Sequence, residues 1–316
     1  MRALLCPASL KGVLSAHAAA AALGRGVRGA GADAVELPLA DGGEGTAEAL
    51  EAALGGEWQV ARVPDPLGRP VGARWLLLPD GRAVVEAAAA IGLPLLAPEE
   101  RDPLRASSRG LGELVLVALE ARPASLVVAL GGTATVDGGA GLREVVRALP
   151  VPTVALCDVR TLLRDAARIF GPQKGASPED VAVLERRLEA IEELRPYALL
   201  PGAGAAGGLG AALAALGAEL VPGAATVLDL LGFDERLSGC DLVVTGEGEV
   251  DSTTVEGKAP GEVAARCVAA GVRCVVFGGR VQSDVPGTET VALSGDPGRA
   301  EADLVELGQR LAYLAA

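Results

Sequence analysis

Four glycine-rich segments gather nearly all the residues that could do chemistry. Ser9-Leu10-Lys11-Gly12 follows a short apolar run. Asp41-Gly42-Gly43-Glu44-Gly45-Thr46 follows a second one. Gly131 to Gly141 holds two glycine pairs, the hydroxyls of Thr133 and Thr135, and Asp137. Thr245-Gly246-Glu247-Gly248-Glu249-Val250-Asp251 precedes Gly257-Lys258. Glycine lets backbone approach a ligand, and successive N–H groups in such a turn suit phosphate oxygens. The chain has three lysines, Lys11, Lys174 and Lys258, and each one adjoins a glycine. An ammonium is a compact charge suited to phosphate. Each feature has an ordinary structural alternative. Lys11 could be a solvated loop lysine, Asp41 a helix N-cap, and the acids of 245–251 a surface loop.

Those turns need a scaffold, and the pattern between them supplies one. Ala3–Cys6 reads as a strand, Ser15–Gly29 as a helix capped by Ser15, and Ala34–Leu39 as a second strand before a helix through Leu54. This alternation predicts a parallel sheet. Trp58–Val63, Gly72–Leu78 and Arg82–Glu86 read instead as antiparallel strands, with Asp80-Gly81 a hairpin turn. Further strands are expected at Ser125–Leu130, Pro152–Cys157, Tyr197–Leu200, Asp241–Thr245, Arg273–Phe277 and Glu289–Leu293. The first two strands and the last three make one doubly wound sheet, and the chain between them is an insertion. This gives a discontinuous domain of residues 1–56 plus 235–316 and an inserted α/β domain of 57–234.

Composition narrows the function. The formal net charge is −13 and aromatics are 2%, which disfavours nucleic acid and anionic membrane as partners. The single histidine, His17, excludes zinc sites built on several histidines. Five cysteines without C-x-x-C spacing read as reduced thiols of a cytoplasmic protein. The uncharged stretch 197–218 contains Pro201 and six glycines, so it reads as a turn feeding a packed helix rather than a membrane span. Gly202-Ala203-Gly204-Ala205-Ala206-Gly207 matches G-x-G-x-x-G, with Asp229 at the offset of a ribose-binding acid. An NAD-dependent oxidoreductase of a small hydroxy acid is the alternative this motif raises.

Taken together, the blocks resemble the bacterial type I glycerate kinases over nearly the whole chain. The family's P-D-S-F-K-G is Pro7 to Gly12 here, with Ala8 for the aspartate. Its A-D-G-G-E-G-T is Ala40 to Thr46, its D-P-L-G-R is Asp65 to Arg69, and its R-D-P is Arg101 to Pro103. Its G-G-S-A-T-N-D-G-G-A-G is Gly131 to Gly141, with Thr133 and Val136 substituted. F-G-P-Q-K-G-A is Phe170 to Ala176, and P-G-A-G-A-A-G-G-L-G is Pro201 to Gly210. T-G-E-G-x-x-D-x-Q-T is Thr245 to Thr254, with Thr253 for glutamine.

The resemblance implies a flavodoxin-like domain interrupted by a second α/β domain, with the active site between them. It implies transfer of phosphate from ATP to D-glycerate, usually giving 2-phosphoglycerate, with 3-phosphoglycerate the other outcome. In that expectation Lys11 and Lys174 neutralise phosphate or carboxylate. Asp41, Glu247 and Asp251 hold Mg2+ or orient the hydroxyl, and Asp137 is the candidate base. Gly131, Gly132, Thr133, Gly138, Gly139, Gly202, Gly204 and Lys258 face the nucleotide. Ala8 and Val136 also admit a sensor that binds without turnover. A homo-oligomer is compatible with the sequence.

Overall fold

The computed structural model describes residues 1–314. Its strands are β1 (Arg2–Pro7), β2 (Asp33–Glu36), β3 (Glu57–Pro64), β4 (Pro70–Leu77), β5 (Arg82–Glu86), β6 (Ser125–Ala129), β7 (Thr153–Leu156), β8 (Glu219–Val221), β9 (Leu242–Val250), β10 (Arg273–Val281) and β11 (Glu289–Ala292). The chain divides into two units. One holds Met1–Asp41, Glu48–Ala53 and the chain from Ala224 onward; the other holds Gly42–Ala47 and Leu54–Gly223.

The first unit is a five-stranded sheet in the order β11-β10-β9-β1-β2. Every pairing in it is parallel. Counted within the unit, this is the flavodoxin-like order 2-1-3-4-5. Strands buried on both faces read as apolar runs, and Ala3, Leu4, Leu5 and Cys6 of β1 are all fully buried. Ala3 and Leu5 share a core with Leu23, Val27, Val244, Phe277 and Leu304. The helix Ala16–Gly29 starts where Ser15 Oγ accepts the Ala18 N–H at 3.1 Å. It packs very closely on the helix Ala300–Leu314: a Cβ at Gly26 would lie 2.1 Å from the Val305 carbonyl oxygen. Sheet order reverses between β1 and β9, so their carboxyl ends flank the crevice where open α/β sheets bind ligands.

The second unit is a six-stranded mixed sheet, β3-β4-β5-β6-β7-β8. β3, β4 and β5 pair antiparallel, and β5 to β8 pair parallel. The hairpin at Asp80-Gly81 forms as expected, with Gly81 at φ +86°. The β3–β4 turn is tied by Asp65, which accepts the Leu67 and Arg69 N–H groups at 2.8 Å each. The stretch 197–218 is the expected turn and buried helix, Ala205–Ala215.

One strand expectation fails, and one strand lies where none was expected. Tyr197–Leu200 is not a strand: a 3-10 helix, Glu192–Tyr197, ends there. Its N–H groups close local turns, such as Leu200 N–H to the Tyr197 oxygen at 3.0 Å. Pro196 also removes a donor that a ladder would need. The strand beside β7 is instead β8, three residues and too short to leave a periodic signal.

Leu5 lies at 0% exposure in the central strand. Leu5→Ala is expected to lower the unfolding free energy by about 2–5 kcal/mol in urea titration. A loss below about 1 kcal/mol would contradict the packing.

Candidate active site

In the first unit the chemistry collects beyond the carboxyl ends of β1, β2 and β9. Lys11 is exposed on the turn after β1. A Cβ at Gly248 would stand 3.7 Å from Lys11 N, so the two turns touch through backbone. β9 outruns β1: the last β1 residue, Pro7, pairs with Gly246, and Glu247 is the next residue. Burial pushes the Glu247 carboxyl above its usual range, against the Thr254 hydroxyl and Lys258, which stabilise its charge. Asp41, at the end of the β2 loop, is close enough to raise it further. The Thr254 hydroxyl donates to Glu247 at 2.8 Å. Asp251 caps the 3-10 helix Ser252–Glu256, accepting from the Thr253 N–H at 2.8 Å and its hydroxyl at 2.5 Å. The Thr253 hydroxyl holds the Asp251 carboxyl below its ordinary value, and Lys258 adds to this. Lys258 Nζ sits 3.8 Å from Glu247 and 3.6 Å from Asp251. Lys11, Asp41, Glu247, Asp251 and Lys258 thus fall in one neighbourhood of this unit.

In the second unit the loop after β6 is held from inside. Lys174 is 3% exposed. Its ammonium donates to Thr133 Oγ1 at 3.1 Å and to the Thr135 carbonyl at 2.8 Å. Burial lowers its pKa to about 7, with Asp137 pulling the other way. Asp137 does not hydrogen bond to Lys174. One of its oxygens accepts from Ser108 N–H at 2.9 Å, Ser108 hydroxyl at 2.7 Å and Gly141 N–H at 3.1 Å; the other accepts from Gly139 N–H at 3.0 Å. Those bonds fold the loop into the helix Ala140–Val145.

Glycines let other segments press on this loop. A Cβ at Gly131 would stand 2.6 Å from Gly43 Cα, and one at Gly132 3.9 Å from a Glu44 oxygen. The Asp41–Thr46 turn is fixed by Thr46 Oγ1 to the Gly43 oxygen at 2.8 Å and by Glu86, which accepts the Ala47 N–H at 2.7 Å. Glu86 therefore caps that helix, a role the sequence offered to Asp41. A Cβ at Gly207 would meet the Thr135 oxygen at 2.2 Å, and Gly138 N–H donates to the Gly207 oxygen at 3.0 Å.

Several expected ligand contacts are redirected. The N–H groups of Gly138 and Gly139 are spent on Gly207 and Asp137, and that of Gly204 on the Thr161 oxygen at 2.9 Å. A Cβ at Gly202 would stand 2.5 Å from Cys157 Sγ, so this glycine serves packing. The Gly202–Gly207 segment lacks the preceding strand of a dinucleotide-binding turn, and Asp229 is paired with Arg266 at 2.7 Å. Val136, one departure from the family pattern, is buried against Leu163, Leu184 and Leu188. Sequence reasoning missed Ser108, fully buried beneath Asp137, because a serine pair at 107–108 carries no signal of its own.

The family model described as the glycerate kinase family matches residues 3–151 and 144–295. The chain belongs to this family. It is an enzyme, a kinase. It is 41% identical over 305 residues to glycerate 2-kinase of Escherichia coli K12, covering 82% of this chain and 80% of that one. It is 37% identical over 329 residues to glycerate kinase of Bacillus subtilis 168, covering 90% and 86%. A crystal structure from Salmonella typhimurium LT2, described as that of a candidate glycerate kinase 2, superposes with a TM-score of 0.87 at 33% identity. The match covers 100% of this chain and 98% of that one. Among the described residues no helix is long and apolar enough to cross a membrane.

The buried ammonium gives a pH test. Lys174 has a folded pKa of about 7 against an ordinary 10.5. Between those values the unfolded chain holds a proton that the folded chain has released, so stability rises with pH. The stability of the wild type minus that of Lys174→Met should be flat below pH 7. It should then grow by up to ~1.4 kcal/mol per pH unit towards 10.5. A difference that stays flat across this window, in urea titrations at each pH, would overturn the assignment.

Proposed function

We propose that the chain moves the terminal phosphoryl group of ATP onto a hydroxyl of D-glycerate, forming 2-phosphoglycerate and ADP. The observation that carries this reading is the grouping of Lys11, Asp41, Glu247, Asp251 and Lys258 at the switch point of the first unit's sheet. Two carboxylates beside a lysine and hydroxyls suit a magnesium–triphosphate group. Magnesium with nucleotide phosphates takes one or two carboxylates and fills its octahedron with phosphate and water oxygens. Among the described residues no group of three or more acids, cysteines or histidines is set to cage a metal. The donors therefore fit a cation that arrives with phosphate, with Glu247 and Asp251 as its protein ligands. Bound there, it would neutralise charge on the transferring group.

Phosphoryl transfer needs positioning and charge neutralisation more than covalent help. In this reading Lys11 and Lys258 face phosphate oxygens, and Asp41 orients the acceptor hydroxyl. The N–H groups of Gly131, Gly132 and Thr133 provide the phosphate-facing part of their loop. Asp137 is assigned to holding that loop, because its two oxygens already accept four hydrogen bonds. Five free thiols accord with work in the cytoplasm.

A coupled assay of ADP release with D-glycerate tests the reading, and phosphorus NMR of the product tells the 2- from the 3-phosphate. Lys11→Ala should lower kcat/KM by about 10²-fold or more. Asp137→Asn should lower both turnover and stability, the latter by about 1–3 kcal/mol. Near-wild-type turnover in both variants would remove these roles. Chelation of magnesium should abolish turnover, and Glu247→Gln should raise the Mg2+ concentration needed to restore it. Turnover indifferent to chelator would remove the metal assignment.

A further inference from the structure

We propose that Arg101 is the residue that receives the carboxylate of the hydroxy-acid substrate, through its guanidinium fork. The proposal rests on the kinase reading above. Arg101 belongs to the Arg101-Asp102-Pro103 block, for which that reading found no task. Its Nε is buried and has no hydrogen-bond partner, and no ion pair involves its side chain among the described residues. A buried N–H of a cation is costly to leave without an acceptor, so native structures nearly always supply one. The acceptor here comes from outside the chain. A planar fork matches a carboxylate in a bidentate way that an ammonium cannot.

Its neighbours show the contrast. Arg69 is fully engaged, with Asp65 at 2.6 Å and Glu100 at 2.6 Å. Arg187 donates to the Leu104 oxygen at 2.8 Å. Arg143, whose Nε is likewise orphaned, keeps Glu193 at 3.8 Å.

The position of Arg101 is built. Arg69 holds Glu100, and a Glu100 oxygen accepts the Ala97 N–H at 3.0 Å, so the turn Pro98–Glu100 is fixed immediately before Arg101. On its other side Arg101 lies against Gly175: a Cβ there would stand 2.8 Å from the Arg101 oxygen and 3.0 Å from its Cβ. Gly175 follows Lys174, which bonds to Thr133 and Thr135. Thr135 Oγ1 is also buried without a partner. Arg101 and Thr135, each with one unpartnered polar atom, are thus the neighbours of Gly175 and Lys174, beside the loop assigned to phosphate. Arg69 is the positioning residue for Arg101, which gives the Asp65–Arg69 block its task.

Steady-state kinetics on the full chain test this. Arg101→Ala should raise KM for D-glycerate about ten- to hundredfold, the range for losing a hydrogen bond to a charged group. KM for ATP should stay within about twofold. Arg101→Lys should recover only part of the loss, because it restores charge without the fork. Glycerol carries hydroxyls and no carboxylate, so its phosphorylation should be equally slow with wild type and Arg101→Ala. Arg69→Ala should raise KM for D-glycerate in the same direction and leave KM for ATP alone. A melting temperature for Arg101→Lys matching the wild type shows that the fold stands, should the alanine variant not fold.

Unchanged KM for D-glycerate in active Arg101 variants overturns the assignment, as does a rise confined to ATP. A wild type without turnover overturns the kinase reading instead. Calorimetric titration with D-glycerate alone then decides the arginine: weaker binding to Arg101→Ala supports it, and equal or absent binding overturns it.

Discussion

A cation buried without a counter-ion is the constraint on which the second unit's loop depends. Lys174 loses most of its hydration and regains two hydrogen bonds, both to one short segment. A lone buried charge usually sheds its proton rather than bear the full cost. Here the opposite charge that acts on it, Asp137, is hydrogen bonded to Ser108 and to the loop's own amides. The loop is therefore held by two devices that do not neutralise each other. Lys174 fixes Thr133 and Thr135, and Asp137 fixes the turn into the following helix. The phosphate contact proposed for this loop would then need no rearrangement of its backbone.

Close backbone approach is the second constraint, and it explains where glycine is obligatory. Gly131 against Gly43, Gly207 against Thr135, and Gly208 against Gly138 leave no room for a Cβ. Gly207 and Gly208 also have φ of +72° and +97°. Their neighbour Ala206 adopts φ 52° despite its side chain, a strain of order 1–3 kcal/mol that the packing around it must sustain. Of the glycines in Gly202–Gly210, Gly207 and Gly208 thus belong to the architecture of the Gly131–Gly141 loop, while Gly202 and Gly204 pack on Cys157 and Leu162. Their resemblance to a dinucleotide turn comes from the shared need for closeness.

Much of the fold was legible because its signals are local and repeated. Apolar runs ending in glycine turns located all five strands of the first sheet, and Asp80-Gly81 marked the hairpin. β8 was illegible because three residues carry no period, and Tyr197–Leu200 misled because an apolar run can equally close turns. The glycine-rich blocks were legible as blocks, but the contacts each residue makes within them were not. In sequence the three lysines look alike. In the structure Lys11 is exposed, Lys258 sits between two acids, and Lys174 is interior. Asp137 read as a free acid because its partner Ser108 lies 29 positions away. In sequence Arg101 is only part of a matching block, since an unsatisfied N–H exists only once the chain is folded.

The most direct test is a crystal structure of the full chain with D-glycerate, Mg2+ and a non-hydrolysable ATP analogue. The account predicts phosphate oxygens within hydrogen-bond distance of the Gly131–Thr133 amides and of Lys11. It predicts magnesium on Glu247 and Asp251, and the acid's carboxylate on Arg101. Nucleotide bound away from both loop sets, with Lys11 and the Gly131–Thr133 amides facing only solvent, would contradict it.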